Sequence, residues 1–467
     1  MRIRKIAGLA LAVIMIAVLF AGCGNGKDNT QSSGVSSPAA GENSPGAPGT
    51  DKPAAGKAVK LKMWGGVPPE AGPQAVVDNF NKEFADQGIS IEYERFVNDD
   101  QGNMKLETNL LAGSDIDIYV TYTLDVLKKR ASGNMALDLT SYLEKDKLDL
   151  ADNFGGEMAT SYDIDGKTYA VPTKIDQYGI VINKDMFDAA GIPIPTAWTL
   201  DEFRDIAKQL TKGDDQDKVY GMFFNSQQDM FYPFNMFAAQ VLGGDVFYKP
   251  DGKETNFTDP AIVKSIGTVA AMMNEDKSAP SHVDSVTQKL TQEGMFLSGK
   301  SAMTIGPWII RSIKDTTNYP HTFVTAFAPY PTPERKDGLF TQGGLGDLLS
   351  INPKSKNIDA AWTFVKWYAT EGMLPLAEGG RVPAYKQFDK ESIVKAFVSG
   401  AEDILDAATT KEVLIAPKSN YAVPKISNKL PEIKKVMGEE LEAIYIGKKS
   451  VEDGLAEAKQ RADALLK

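Results

Sequence analysis

The sequence predicts an α/β protein of two lobes, and three observations lead there. From residue 58 onward, short apolar β-type runs alternate with amphipathic helical segments, the order that builds sheets flanked by helices. This region spans about four hundred of the 467 residues, more than one typical domain holds, so two lobes are expected. The chain has one cysteine. No intramolecular disulfide can therefore hold it, and the fold must stand on its core. Ligands on open α/β sheets bind at the carboxyl ends of strands, and two facing lobes make a cleft there.

The first residues address compartment. Arg2, Arg4 and Lys5 form a positive n-region, and Ile6 to Phe20 is an uncharged apolar run followed by Ala21, Gly22 and Cys23. That pattern is a secretory leader over residues 1–22. Cys23 is either an incidental residue of a leader cut elsewhere or a lipobox thiol that takes a diacylglyceryl group and becomes the new N-terminus. Lipoboxes usually carry Leu three places before the cysteine, where Phe20 stands here, with Leu19 one further back. The polar segment that follows at once favours lipidation, and two acyl chains hold a soluble domain stably on a membrane. Residues 23–57 are dominated by Gly, Ser, Pro, Ala and Asn, with Val35 the one branched apolar residue, and so read as a disordered tether. The expected location is the extracellular face of the cell membrane. The formal charge of −11 argues against nucleic acid or anionic lipid as partner of the folded part.

VKLKMW (59–64) reads as a strand, and the helix after it carries Val76, Val77, Phe80 and Phe84 on one face. ISIEYERF (89–96) and DIDIYVT (115–121) supply two more strands. YDIDGKTYAVP (162–172) is a hairpin with an Asp-Gly turn. TLDEFRDIAKQLTKG (199–213) is a strongly marked helix: Thr199 and Glu202 form a capping box, Trp198 and Phe203 a hydrophobic staple, and Gly213 takes the position just past the end. Trp198 is thereby assigned to structure rather than ligand. Asp259 caps a helix whose first position is Pro260. Residues 286–298 read as one helix stopped by Gly299, SAMTIG (301–306) as a strand running into Gly-Pro-Trp, and 358–372 as an amphipathic helix. Two last helices lie near 431–446 and 451–466.

Four segments, in order and spacing, resemble the family 1 extracellular solute-binding proteins, the sugar-binding group that includes maltose-binding proteins. YAVPTKIDQYGIVINKDMFDAAGI (169–192) is similar to the family's crossing between lobes with its following strand and helix, and PTAWTLDEFRDIAKQLT (195–211) to its W-T-x-D-E-F helix. FLSGKSAMTIGPWII (296–310) resembles its F-x-x-G-K-x-A-M and G-P-W element, and 342–372 its second crossing. The sequence departs from the family at Ile182, where Tyr is usual, and at Ile116, where Pro commonly precedes the aspartate. It departs again near Lys434, where maltodextrin binders place an aromatic platform, so long α-glucans are not implied.

The resemblance implies a type II periplasmic-binding-protein-like fold that closes by hinge motion. Lobe 1 would comprise 58–175 with about 345–375, and lobe 2 would comprise 176–344 with about 376–467. It implies the substrate-binding component of an ABC importer, a monomer without cofactor, metal or catalysis, delivering a mono- or oligosaccharide to permease subunits. No Walker A motif occurs in the chain, so the ATPase would be another subunit.

A sugar presents apolar C–H faces and a rim of hydroxyls, which suit aromatic rings, carboxylates and backbone groups at strand ends. Trp64 ends the first strand before Gly65 and Gly66, with a core role as the alternative. Thr121 and Tyr122 end the third, and Tyr122 matches a platform position in the resemblance. Asp176 matches the family's crossing carboxylate, the alternative being a hinge salt bridge, and Tyr178 lies nearby. Among Phe231, Tyr232 and Phe234 the choice is Tyr232. The resemblance places Trp308 of Gly-Pro-Trp against the sugar, core being the alternative. Gly343 and Gly344 let backbone approach closely. Arg381 is a candidate polar contact, against the commoner fate of a solvated surface arginine.

The rival class is an exported hydrolase. Nucleophilic triads need a histidine, and His282 and His321 are the two present, both in turn-like settings that read as surface. A glycosidase needs just two carboxylates, but no pattern supports one. A lipoprotein sensor without transport would use the same fold.

Overall fold

Alternation along the first strand decides which side of it is core. Leu61 and Met63 point into one cluster, while Trp64 joins Phe96, Leu106, Leu110 and Tyr119 on the opposite face. The structure, a computed structural model, describes residues 58–467 apart from 161, 215–216, 226–229, 232, 307–308, 336–338, 342, 417–419, 422–426 and 428. Its strands, in chain order, begin with β1 (Val59–Gly65), β2 (Ile89–Arg95) and β3 (Ile118–Thr121). A hairpin, β4 (Asp163–Ile164) and β5 (Lys167–Thr168), precedes β6 (Val171–Gln177) and β7 (Ile180–Asn183). Then come β8 (Met303–Ile305), β9 (Thr325–Ala328), β10 (Phe340–Thr341), β11 (Gly343–Ile351), β12 (Val382–Pro383) and β13 (Asn420–Tyr421).

Six strands form one sheet in the order β12-β6-β11-β3-β1-β2. β2 and β3 run parallel to β1, whereas β11 is antiparallel to both β3 and β6, and β12 is antiparallel to β6. The carboxyl ends of β1, β3 and β6 thus share one edge with the amino ends of β11 and β12. A second sheet has β7 between β8 and β9, all antiparallel. The chain passes from the first sheet to the second between β6 and β7 and returns before β11. Each sheet has its own core: Phe80, Phe364 and Trp367 cover the first, and Phe187, Phe203, Phe237 and Ile266 the second. A third cluster joins Val181 and Phe327 of the second sheet to Val382 at the edge of the first, with Ile310, Ile393 and Phe397.

Several local expectations hold in detail. The hairpin turns at Asp165 (φ 54°) and Gly166 (φ 77°). In the helix Leu200–Leu210 the capping box is complete: Glu202 N–H donates to Thr199 Oγ1 at 3.3 Å, and Thr199 N–H to Glu202 Oε2 at 2.7 Å. Trp198 is buried, packs edge-on to Phe203 and donates to the Pro329 carbonyl. Thr199→Ala should cost about 1 kcal/mol of stability through loss of this cap. A urea-unfolding midpoint identical to that of the parent would contradict that.

Others differ. β3 starts at Ile118, not at 115, because the Asp117 carboxylate accepts from Lys62 N–H at 2.9 Å and from Ser355 Oγ at 2.5 Å, anchoring the chain before the ladder begins. The single helix expected over 286–298 is two, His282–Thr287 and Gln292–Phe296. Lys289 adopts φ 52° between them, and Thr291 caps the second by accepting from Gly294 N–H. Gly213 is not the residue that ends its helix. Thr211 Oγ1 donates to the Ala207 carbonyl at 2.8 Å and stops the helix earlier, leaving Gly213 to the following turn. His282 is no surface residue: it is 5% exposed, and burial pushes its imidazole below the ordinary value.

Candidate functional site

The shared edge of the first sheet is where its sequence-marked residues meet. Trp64 is the penultimate residue of β1, Thr121 closes β3 with Tyr122 just past it, Asp176 lies near the end of β6, and Gly343 and Gly344 open β11. Gly343 pairs with Gln177 and Gly344 with Asp176. Arg381 immediately precedes β12, whose Val382 pairs with Ile175. Tyr178 follows β6 in the crossing and packs against the core of the second sheet. In that second sheet Ile180 pairs with Ile305, so the Gly-Pro-Trp element follows directly from a strand end beside the crossing. Trp308 itself, Tyr232 and Cys23 lie outside the described residues, as does the whole 1–57 segment.

Two tyrosines shape the loop after β1. Gly66 N–H donates to Tyr122 Oη at 2.5 Å, and Tyr93 Oη donates to the Val67 carbonyl at 2.6 Å. A Cβ on Gly65 would stand 2.7 Å from Tyr93 Oη, and one on Gly66 2.9 Å from Tyr122 Oη. The two glycines thus admit phenols against the backbone. Trp64 is 6% exposed, with Lys105 Nζ 5.2 Å from the centre of its ring, and its indole N–H has no hydrogen-bond partner among the described residues. Thr121 is fully buried and accepts from Arg130 Nη1 at 2.8 Å.

The electrostatic centre of the edge is an alternating chain of charges. Asp347, on β11 at φ 45°, is 3% exposed and accepts from Arg381 Nε at 2.8 Å. Lys174 Nζ lies 3.6 Å from the other Asp347 oxygen and donates to Asp176 at 2.9 Å. Lys174 and Asp176 are two apart on β6, so the period of the strand puts both on one face. Burial alone would raise Asp347, but the charges of Lys174 and Arg381 and their hydrogen bonds hold it below the usual carboxylate range. Burial opposes the positive charge on Lys174 and Arg381, yet the acids beside them raise both. Arg381 is therefore not a solvated surface residue; its paired head is held inside the edge by Asp347.

Asp347, Lys174, Tyr93 and Gln177 were not among the residues marked from the sequence. Two signals were available. Asp347 is a lone charge inside the apolar run GLGDLLSI, where an unpaired carboxylate could not stay. Lys174 stands at strand period from Asp176. A recess of about 150 Å³ opens beside this edge, lined by Phe154, Ile175, Gln177, Val382, Tyr385 and Tyr421 among others. Larger recesses, of about 650 and 450 Å³, lie away from the strand ends, the first between Pro69 and Pro375, the second beneath the β4–β5 hairpin. Among the described residues no three His, Cys, Asp or Glu side chains converge as a metal site, and no helix is long and apolar enough to cross a membrane.

Residues 66–374 match the family described as bacterial extracellular solute-binding protein. The maltotriose-binding protein of Pyrococcus abyssi is 25% identical over 274 residues, covering 57% of this chain and 53% of that one. The diacetylchitobiose-binding protein of Streptomyces coelicolor is 29% identical over 224 residues, covering 46% and 49%. A sugar transporter of Rhizobium etli, solved in an open conformation, superposes with a TM-score of 0.68 at 24% identity, over 87% of this chain and 100% of that chain. That superposition concerns the fold.

Proposed function

Since the chain belongs to the bacterial extracellular solute-binding proteins, we propose that it captures a carbohydrate between its lobes and delivers it to the permease subunits of an ABC importer. The observation that carries this reading is the common strand edge, where aromatic rings, close-approaching backbone and paired charges gather. Such a set suits a sugar, whose faces pack on rings and whose hydroxyls read charged and backbone groups. The ligands named for the two relatives, maltotriose and diacetylchitobiose, differ in sugar unit and agree in being short oligosaccharides. The ligand class proposed is accordingly a mono- or short oligosaccharide, bound without turnover.

In this reading Tyr122, Asp176, Tyr178, Tyr232, Trp308 and the Gly343–Gly344 backbone contribute contacts, with Arg381 holding the edge in shape. Thr121 acts through Arg130 rather than by touching ligand. The ligand contacts both lobes in the closed form alone, and its differential affinity drives closure. Cys23 carries the lipid anchor, supported by the apolar leader before it and the polar tether after it.

A thermal-shift screen against mono- and oligosaccharides, amino acids and metal ions tests the class. A true ligand at a hundred times its Kd adds about 2.7 kcal/mol of apparent stability. Stabilisation by an amino acid or a metal alone would reject the carbohydrate, and turnover of the stabilising sugar would reject a pure binder.

A further inference from the structure

The charge chain at the strand edge has a direction. Asp347 is buried, the Lys174 side chain is 17% exposed and that of Asp176 26%. The buried acid already has a counterion, because Arg381 Nε donates to it at 2.8 Å. Lys174 Nζ stands 3.6 Å from Asp347, an ion-pair separation too long for a hydrogen bond. Its hydrogen bond goes outward instead, to Asp176 Oδ1 at 2.9 Å. What Lys174 holds most directly is therefore the acid that solvent, or a ligand, can reach.

Two glycines make room for that bond. Lys174 faces Gly346 across the β6–β11 register and Asp176 faces Gly344, so both cross-strand neighbours lack side chains. A Cβ on Gly346 would stand 2.9 Å from Lys174 Cε and 3.2 Å from Asp176 Oδ2. Both charged side chains thus lie over the bare backbone of β11. Gly346 is not among the glycines of positive φ. Its backbone does not demand glycine; the space above it does. Asp347 takes its φ of 45° where the register skips, between the Gly346–Lys174 and Leu348–Pro172 pairs.

We infer that Lys174 is a positioning residue: lying over Gly346, it holds Asp176 by Oδ1 so that Oδ2 accepts from one hydroxyl of the bound sugar. This rests on the carbohydrate reading and says how one hydroxyl is read. Among the described residues Asp176 accepts from no side chain other than Lys174. A carboxylate oxygen has no proton to give, so the group it meets must be a donor. A sugar hydroxyl meets that need, whereas an acidic substituent at the same place would face a like charge. A carboxylate fixed before the ligand arrives also binds more tightly than a mobile one, because its ordering is already done.

The test is calorimetric titration with maltotriose, diacetylchitobiose, glucose, galactose and xylose. It compares the parent with Lys174→Met, Lys174→Arg, Asp176→Asn, the double variant Lys174→Met with Asp176→Asn, Gly346→Ala and, as control, Lys82→Gln. For a sugar that binds the parent, Asp176→Asn and Lys174→Met should each weaken binding about tenfold or more. The double variant should bind no worse than Asp176→Asn alone, since Lys174 acts through Asp176. Gly346→Ala keeps both charges but displaces them, and should approach the loss of Lys174→Met. Lys174→Arg should restore part of the affinity, and Lys82→Gln should match the parent. A lysine that merely steadied the fold would lower the urea-unfolding midpoint and leave these affinities alone. If Lys174→Met does not fold, Gly346→Ala decides. Unchanged affinity in Lys174→Met or Gly346→Ala, or losses that add in the double variant, would overturn the inference and leave the carbohydrate reading standing. Failure of every sugar to bind the parent would overturn both.

Discussion

Replacing Asp347 by alanine is expected to destabilise the folded chain by about 3–5 kcal/mol, because it strands the Arg381 cation inside the sheet edge and takes from Lys174 one of its two acids. Asp347 is itself 3% exposed, and Arg381 and Lys174 approach its two different oxygens at 2.8 and 3.6 Å. With the carboxylate gone, Lys174 keeps Asp176 at 2.9 Å, but Arg381 keeps no carboxylate among the described residues. Asp347→Ala combined with Arg381→Met should recover part of the loss, since an apolar pair needs no counter-charge. Equilibrium urea unfolding measures both. A single variant within about 1 kcal/mol of the parent would show the pair to be dispensable.

The same network sets a pH window. The Asp347 value is depressed in the folded chain, so its contribution is present above the unfolded value of about 3.9 and is lost as pH falls through the lower folded value. Lys174 is raised, so its contribution is present below about 10.4 and is lost as pH rises through the folded value. Stability should therefore be flat from this source between those limits. In Asp347→Ala the acid-side decline should flatten.

What was legible in the sequence was local. The helix Leu200–Leu210 could be read because its cap, staple and apolar stripe all lie within a dozen residues. The hairpin could be read because Asp-Gly sets its turn. The break between His282–Thr287 and Gln292–Phe296 was equally local, and Thr291 followed by Gln292 and Glu293 carried a start signal that a continuous apolar pattern overrode. The ends of β1 and β3 followed from the strand pattern, whereas Asp176 on β6 and the Gly343–Gly344 start of β11 were reached through the family resemblance. The charge chain followed from neither, because Asp347 meets Arg381 34 residues away and Lys174 still further away in sequence. Nothing in spacing pairs them. Sheet order brings β6, β11 and β12 side by side, and order is a property of the whole fold. Arg381 read as surface because a long cationic side chain usually is. The buried acid that draws it in was visible as an oddity in GLGDLLSI but not as its partner.

Gly343 is the second place where one atom should decide. Its φ of 139° suits glycine, and a Cβ there would stand 1.8 Å from the Asp176 carbonyl oxygen, inside any tolerable contact. The neighbour, Gly344, has the same φ of 139°, but its Cβ would meet the Met158 sulfur at 3.3 Å, a contact a flexible thioether relieves. Both alanine variants carry backbone strain of about 1–3 kcal/mol. Gly343→Ala must in addition push β11 off β6 at the register where Gly343 faces Gln177. Its total cost should reach about 4 kcal/mol or more, and it should weaken ligand binding further than its loss of stability explains, because Asp176 moves with its carbonyl. Gly344→Ala should stay nearer the strain alone. The difference between the two melts therefore isolates the close approach of the strands at the crossing. Equal losses would mean that backbone conformation, not contact with Asp176, is what glycine supplies there.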